Sequence, residues 1–228
     1  MRASRRHDHA TRPSRVHVDP AHLTLSIEPR RPFPWPVLAA AGIACFLAAA
    51  IALHLLRPDL DPVHSQMSLY LIGAHGAWLQ AAYVALGIAM VGLAFGVYRS
   101  LAIEARSAVP LLCFVLGSLS LSTTAYAWMD LPGVDASFEG WLHGITAQAA
   151  FLFATTGIVL QALRLRRDPS WRTPARWLLP WAIACFAAVW ALALWHDAPR
   201  GLAQKAVIAL IVGWLSAVTL LLERRRSG

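Results

Sequence analysis

Six long runs of apolar residues, separated by short polar stretches, dominate the chain from Pro34 onward. They lie at Pro34–Leu56, Ala74–Tyr98, Ala108–Trp128, Trp141–Leu163, Trp177–Trp195 and Leu202–Leu222. Each run has about the 20 residues that an α-helix needs to cross the hydrocarbon core of a bilayer. The runs lack the polar face of a soluble helix, and they are too long and too rich in Ala and Leu for membrane strands. The pattern therefore predicts an all-α integral membrane protein, a bundle of six transmembrane helices.

The segment before the first run, residues 1–32, is rich in Arg and His and contains few apolar residues. Such a segment cannot bury enough surface to fold, so we expect a disordered basic tail on the cytoplasmic side. One six-helix transmembrane domain, residues 33–228, would follow it. The first apolar run begins only after Phe33 and continues for about 20 residues, which argues against a cleaved signal peptide.

Composition and charge sharpen this interpretation. Hydrophobic residues make up 57% of the chain and charged residues 14%, against about 25% charged residues in soluble proteins. The net charge of +8 could suggest a nucleic-acid partner, but the positions of the basic residues argue against one. All of the 20 Lys and Arg residues except Arg57, Arg200 and Lys205 fall in the N-terminal tail, the second and fourth loops and the C-terminal tail.

This alternation follows the positive-inside rule and predicts that both termini are cytoplasmic, in a plasma membrane. The protein would lie in the lipid bilayer, and its basic loops would contact anionic lipid headgroups at the cytoplasmic face. No nucleic-acid partner is expected.

The opposite loops, which are poor in basic residues, collect most of the reactive polar side chains. We expect His64, Ser68, Asp130 and His143 to come together at the outer end of the bundle, because they stand near the ends of predicted helices. His75 follows Ser68 by two helical turns, so it would share a face of helix 2 and lie one to two turns deeper. Four further residues would line the same polar vestibule: Asp61, Ser65, His196 and Gln204.

Ionisable groups at membrane depth are unfavourable unless they are paired, which makes these residues functional candidates. His64, His75, Asp130 and His143 could bind a divalent metal, although nothing in the sequence requires one. His64, Ser68, Asp130 and His143 could also be catalytic, as an acid–base pair or a Ser-His-Asp arrangement. No H-E-x-x-H, C-x-x-C or G-x-S-x-G motif indicates a particular enzyme. The same side chains are equally compatible with hydrated groups at headgroup level.

Several short motifs occur in an order that resembles a known family. They are Asp61-Pro62, His64-Ser65, Ser68, Trp78-Leu79-Gln80, Leu142-His143-Gly144, Arg167-Asp168 with Trp171-Arg172, and Gly201-Leu202-Ala203-Gln204-Lys205 ahead of Trp214. Over about residues 36–224 the chain is similar to the "domain of unknown function 998" membrane proteins. The resemblance implies a six-helix bacterial or archaeal membrane protein and brings no established activity with it.

Three functional hypotheses are compatible with these observations. The first is a binding or transport-like module with an outward-facing polar vestibule lined by helices 2, 3, 4 and 6. The second is a membrane-embedded hydrolase, with or without a metal, that acts on a lipid or its headgroup. The third is a structural or assembly partner whose polar groups only stabilise the bundle. The sequence sets neither the ligand nor the oligomeric state.

The orientation is directly testable. A reporter that is active only in the cytoplasm should work when it is fused after Gly228 or inserted near Asp168, and it should fail near Asp135, because basic loops stay inside. Reporter activity in whole cells, normalised to the amount of fusion protein, measures this. An active reporter near Asp135 would reverse the orientation.

Overall fold

The computed structural model describes residues 34–131, 133–195 and 197–227, and within them it contains helices and no strand. The six long helices are α1 (Trp35–Leu56), α2 (Gly76–Ser100), α3 (Ala108–Tyr126), α4 (Phe138–Arg167), α5 (Arg172–Leu194) and α6 (Arg200–Ser227). Two short 3₁₀ helices, Met67–Leu71 and Ile103–Ala105, lie in the first and second connections. All six long helices are long and apolar enough to cross a membrane, so the chain is a multi-pass membrane protein, as predicted. The predicted tail, residues 1–32, and His196 lie outside the described residues.

The connection between α3 and α4 differs from the prediction. α3 ends at Tyr126, and α4 begins at Phe138 because Ser137 caps it. The Ser137 hydroxyl accepts a hydrogen bond from the backbone N–H three residues on, at 3.0 Å. This satisfies one of the free N–H groups of the first turn. Asp130 therefore lies in a connection rather than at a helix end, and His143 lies in the second turn of α4.

The helices form a ring in which each packs against the next along the chain and α6 packs back against α1. α2 also contacts α6 and is the most deeply buried of the six helices. Large apolar side chains such as Leu55, Leu119 and Ile183 are exposed on the outside, whereas Thr155 and Thr219 are buried. This distribution suits a bundle that is surrounded by lipid tails and packed internally through small and polar residues.

Close approach between neighbouring helices depends on small residues. A Cβ on Gly42 of α1 would lie 2.5 Å from the carbonyl oxygen of Ala85 and 2.7 Å from the Cβ of Ala89 on α2. A Cβ on Gly117 of α3 would lie 3.2 Å from the backbone nitrogen of Ala154 on α4. Since lipid removes the hydrophobic drive for helices to associate, such close van der Waals packing holds the ring together.

The connections alternate between two ends of the ring. We call the end with residues 57–75 and 127–137 and the α5–α6 connection the acidic end. The basic end comprises residues 101–107, residues 168–171 and the C-terminal end of α6. Most of the acidic residues of the described chain lie at the first end and most of its arginines at the second.

At the basic end, one buried carboxylate joins the two connections. Asp168 is 2% exposed, and it accepts hydrogen bonds from the backbone N–H of Ala102 at 2.8 Å and from the N–H and hydroxyl of Ser170 at 2.8 and 2.6 Å. Arg225 of α6 donates to Ser170 and lies over the ring of Trp171, 4.1 Å from its centroid. Burial alone would raise the pKa of the Asp168 carboxyl, but the hydrogen bonds from Ser170 and Ala102 outweigh it and hold the pKa below its ordinary value.

We expect Asp168→Asn to lower the free energy of unfolding by about 1–3 kcal/mol, since an amide NH₂ would face a buried N–H donor. Glu104→Gln, an exposed change at the same end, is the matched control. Thermal unfolding of the purified protein in detergent compares the two variants. The Asp168 stabilisation should be present above the unfolded-state pKa of about 3.9 and be lost as the pH falls through the depressed folded value. Equal melting temperatures for the two variants at neutral pH would contradict this role.

Candidate functional site

A large cavity lies at the acidic end. Its volume is ≈ 750 Å³, within the range of about 300–1,000 Å³ that is usual for small-molecule sites. Its walls are α4, α5 and the start of α6, together with Gln66, Ser68, Met129 and Asp130 from two connections. We call this cavity the vestibule. Its walls differ from the predicted ones, since α5 contributes and α2 and α3 do not.

A second cavity continues from the vestibule toward the middle of the bundle. It has a volume of ≈ 80 Å³ and is bounded by α1, α2, α3, α4 and α6. Apart from Tyr83 and Thr124, the side chains that line only this cavity are apolar, and we call it the apolar chamber. Five residues line both cavities and form what we call the neck: Ser68, His143, Ala147, Phe151 and Gln204.

His143 presents a hydrogen-bond acceptor to the neck. The residue is 6% exposed, and its Nδ1 lies 2.6 Å from the carbonyl oxygen of Ala127. A carbonyl can only accept, so Nδ1 carries the proton, and in that tautomer of neutral imidazole Nε2 is the nitrogen with the lone pair. No residue in the described part of the chain hydrogen-bonds to Nε2. The lone pair therefore remains available to a bound molecule.

Gln204 and Ser68 supply donors at the same place. The side-chain oxygen of Gln204 accepts a hydrogen bond from the backbone N–H of Met67 at 2.7 Å. This contact orients the amide, so its NH₂ group remains available to donate. Ser68 is 6% exposed, and its hydroxyl has no hydrogen-bond partner among residues 34–131, 133–195 and 197–227. The neck thus holds two donors and one acceptor that the protein itself does not use.

The vestibule above the neck carries one carboxylate and one guanidinium. Asp130 accepts hydrogen bonds from the N–H and the hydroxyl of Ser137, at 3.0 and 2.6 Å. These bonds hold the pKa of the Asp130 carboxyl below its ordinary value, so it is ionised at neutral pH. Arg200 donates to the carbonyl oxygen of Leu192 at 2.9 Å, which leaves most of its five N–H donors for a ligand.

His64 and Asp61 lie outside the vestibule. Both are exposed on the first connection, where Nδ1 of His64 lies 2.5 Å from a carboxylate oxygen of Asp61. The hydrogen bond from His64 holds the pKa of the Asp61 carboxyl below its ordinary value. Ser65 lines neither cavity; its N–H donates to the carbonyl oxygen of Asp61 at 2.8 Å, and its own carbonyl accepts a hydrogen bond from Lys205 at 3.0 Å.

The expectation that His75 lies deep in helix 2 is wrong. Ser68 lies in the separate 3₁₀ helix Met67–Leu71, and α2 begins only at Gly76. His75 precedes it with φ 63°, in the left-handed region. The residue is exposed, and its ring lies 5.1 Å from that of Trp78, centroid to centroid. His75 is therefore neither on one helical face with Ser68 nor paired with Asp130.

The structure brings Ser68, Asp130 and His143 to one vestibule but does not assemble a Ser-His-Asp triad. Nδ1 of His143 is held by a carbonyl, and Asp130 is held by Ser137. Within the described ranges, no group of three or more His, Cys, Asp or Glu residues could hold a metal ion. The arrangement as built suits recognition by hydrogen bonds.

Three charged or amide residues of the vestibule were not predicted as site residues from the sequence: Gln66, Gln148 and Arg200. Arg200 has a recognisable signal, because it is one of only three basic residues outside the basic loops. The two glutamines have none, since neither lies in a motif or in a periodic pattern.

Comparison with known proteins identifies the family to which the chain is similar. A family model described as "Protein of unknown function (DUF998)" matches residues 39–221, well over half of the chain. The chain matches no curated protein and no solved structure.

Water should reach the vestibule wall but not the outside of the same helix. In a protein whose three native cysteines are replaced by Ala, Gln148→Cys should react rapidly with a charged thiol reagent. Phe153→Cys, five residues later on an exposed apolar position and about 140° around the helix from Gln148, should react slowly in a bilayer, because thiolates form poorly away from water. Labelling rates in lipid nanodiscs, measured by mass spectrometry, decide this. Equal rates would show that the vestibule is not a water-filled space.

Proposed function

Because the chain belongs to the DUF998 family of proteins of unknown function, we propose its function from the site itself: a membrane-embedded binding or transport-like module. The vestibule takes a small molecule from the side of the acidic end. The neck, formed by Ser68, His143, Gln204 and their two apolar neighbours, holds the polar part of that molecule.

The observation that supports this proposal is the unused hydrogen-bonding capacity of the neck. These groups face the cavity and are open to water or to a ligand; among the described residues, the buried side-chain atoms without a hydrogen-bond partner lie elsewhere, at Tyr70 and Glu223. A purely structural role would favour side chains whose hydrogen bonds are made within the protein, as those of Asp168 are. Unpartnered groups at one point of a cavity are instead what a binding site requires.

A hydrolase is less well supported than a binding protein. A serine nucleophile needs a base within hydrogen-bond reach and a third group to orient that base. The base candidate His143 is oriented by the carbonyl of Ala127, but within the described residues the Ser68 hydroxyl makes no hydrogen bond to it, and Asp130 is used by Ser137. A binding site needs only groups that can hydrogen-bond to a ligand, and the neck already contains them.

The proposal includes an orientation. With both termini cytoplasmic, the vestibule opens away from the cytoplasm of a prokaryotic plasma membrane, as the positive-inside rule favours. The arginines of the basic end then face the inner leaflet, where they attract anionic lipid headgroups.

A binding experiment tests the proposal. The single-cysteine variant Gln148→Cys, in nanodiscs, reports occupancy through its rate of thiol modification. Small-molecule fractions prepared from whole cells should include at least one that slows this rate. Ser68→Ala should weaken the effect about fivefold or more, the loss of one hydrogen bond. Gln161→Leu, buried in α4 but outside both cavities, should leave it unchanged. If no fraction slows the modification, the vestibule is not a binding site.

A further inference from the structure

The unused polar groups of the vestibule and the neck are sorted by type, and the acceptors lie on the wall formed by the start of α4. A Cβ on Gly140 would collide with the carboxylate of Asp130, so this carboxylate rests directly on the first turn of α4. His143 follows Gly140 by three residues, which places both on one face of the helix. Ser137 uses only two of the roughly four acceptor positions of the carboxylate. The carboxylate and Nε2 of His143 are therefore two neighbouring acceptors.

Donors lie on a second wall, at the start of α6, which α5 separates from α4 in the ring. Arg200 and Gln204 are four residues apart, so their side chains lie on one face of α6. Ser68 stands beside them, because the backbone N–H of the adjacent Met67 donates to Gln204 at 2.7 Å. This wall therefore offers a guanidinium, an amide NH₂ and a hydroxyl to one bound group.

The two charged groups of the vestibule have opposite signs and do not pair with each other. Among the described residues that line it, Asp130 and Arg200 are the only Asp, Glu, Lys or Arg side chains. The ion pairs of the described chain lie elsewhere. An anionic ligand would be repelled by the carboxylate, and a cationic ligand by the guanidinium. A molecule that carries one positive and one negative group matches both walls.

The two walls converge at the neck. Ser68, His143 and Gln204 line the vestibule and also the chamber of ≈ 80 Å³ beyond it, so the acceptor and donor walls approach each other there. A ligand held by both walls at this point must carry its positive and negative groups close together. In an α-amino acid, only two covalent bonds of about 1.5 Å each separate the ammonium nitrogen from the carboxylate carbon.

The remaining wall of the vestibule is largely apolar and indicates the rest of the ligand. Its main side chains come from α4 and α5: Phe151, Leu152, Val189, Trp190 and Leu192. A sugar or another polyol would place hydroxyl groups against this wall, where they would lose their hydrogen bonds to water. An apolar group on the ligand is instead stabilised by being removed from water. The vestibule volume of ≈ 750 Å³ leaves room for a bulky apolar group.

We propose that the vestibule binds an α-amino acid with an apolar side chain, as a zwitterion, and this inference rests on the proposed function. The ammonium group donates to Asp130 and to Nε2 of His143. The carboxylate accepts hydrogen bonds from Arg200, from the amide of Gln204 and from the hydroxyl of Ser68. The side chain of the ligand lies in the vestibule, against the apolar wall formed by α4 and α5.

Five small compounds separate these features. L-Leucine has all of them. L-Leucinamide lacks the carboxylate, N-acetyl-L-leucine lacks the ammonium group, and glycine lacks the side chain. 6-Aminohexanoic acid is an isomer of leucine whose two charges lie at opposite ends of the molecule. Each compound is added over a range of concentrations to Gln148→Cys protein in dioleoylphosphatidylcholine nanodiscs, where the cysteine lies in the vestibule wall, and the rate of thiol modification is measured.

We expect L-leucine to protect the cysteine at about a tenfold lower concentration than each of the other four, the effect of one charge-assisted hydrogen bond or of one buried apolar side chain. Protection by any of the other four at the concentration that L-leucine requires would overturn the inference. If cell fractions protect the cysteine but L-leucine does not, the inference fails and the proposed function stands. If nothing protects it, both fail.

Variants assign each charge of the ligand to its partner. Asp130→Asn should abolish the advantage of L-leucine over N-acetyl-L-leucine, and Asp135→Asn, exposed in the same connection, should not. Arg200→Gln should abolish the advantage over L-leucinamide, and Arg176→Gln, exposed at the basic end, is its control. Advantages that survive both vestibule substitutions would overturn the assignment. Should a variant fold poorly, the comparison of the five compounds on Gln148→Cys protein alone decides the question.

Discussion

The attachment of the first connection to the start of α6 is the interaction on which the vestibule depends. The backbone N–H of Leu202 donates to the carbonyl oxygen of Val63 at 2.8 Å, and Gln204 accepts from Met67 at 2.7 Å. The two backbones lie so close that a Cβ on Gly201 would be 2.5 Å from the carbonyl oxygen of Ser65. These contacts place Ser68 at the neck and hold the 3₁₀ helix over the cavity, which no packing between α1 and α2 alone would do.

The three basic residues at the acidic end all donate hydrogen bonds to backbone carbonyl oxygens. Arg57 donates to the carbonyl oxygen of Ile72 at 2.7 Å, Arg200 to that of Leu192 and Lys205 to those of Pro62 and Ser65, at 2.6 and 3.0 Å. Each one satisfies backbone carbonyls that a helix end or a turn leaves without partners, a strict requirement near a bilayer. These exceptions to the charge pattern are therefore structural, and Arg200 alone among them also lines the vestibule.

The sequence predicted the six helices because membrane-spanning length and composition leave few alternatives. It also predicted that Asp130 and His143 lie near each other, since a short connection limits how far apart two helix ends can lie. It failed for the helical face that Ser68 and His75 were predicted to share, because periodicity assumes a continuous helix, and the left-handed turn at His75 interrupts it. The links of Asp168 to Ala102 and of Gln204 to Met67 could not be predicted, since they join segments far apart in the chain through single hydrogen bonds.

The order in which the helices are inserted during synthesis determines when the vestibule can form. Successive helices pack on one another, so each pair can associate as soon as its second member has been inserted. The links between the first connection and α6 span 137 to 143 residues, and they can form only when the last helix arrives. Until then the cavity is open on one side, and no contact with α6 fixes the position of Ser68. The vestibule is thus the last part of the protein to form, and an incompletely inserted chain lacks the site that we propose for a ligand.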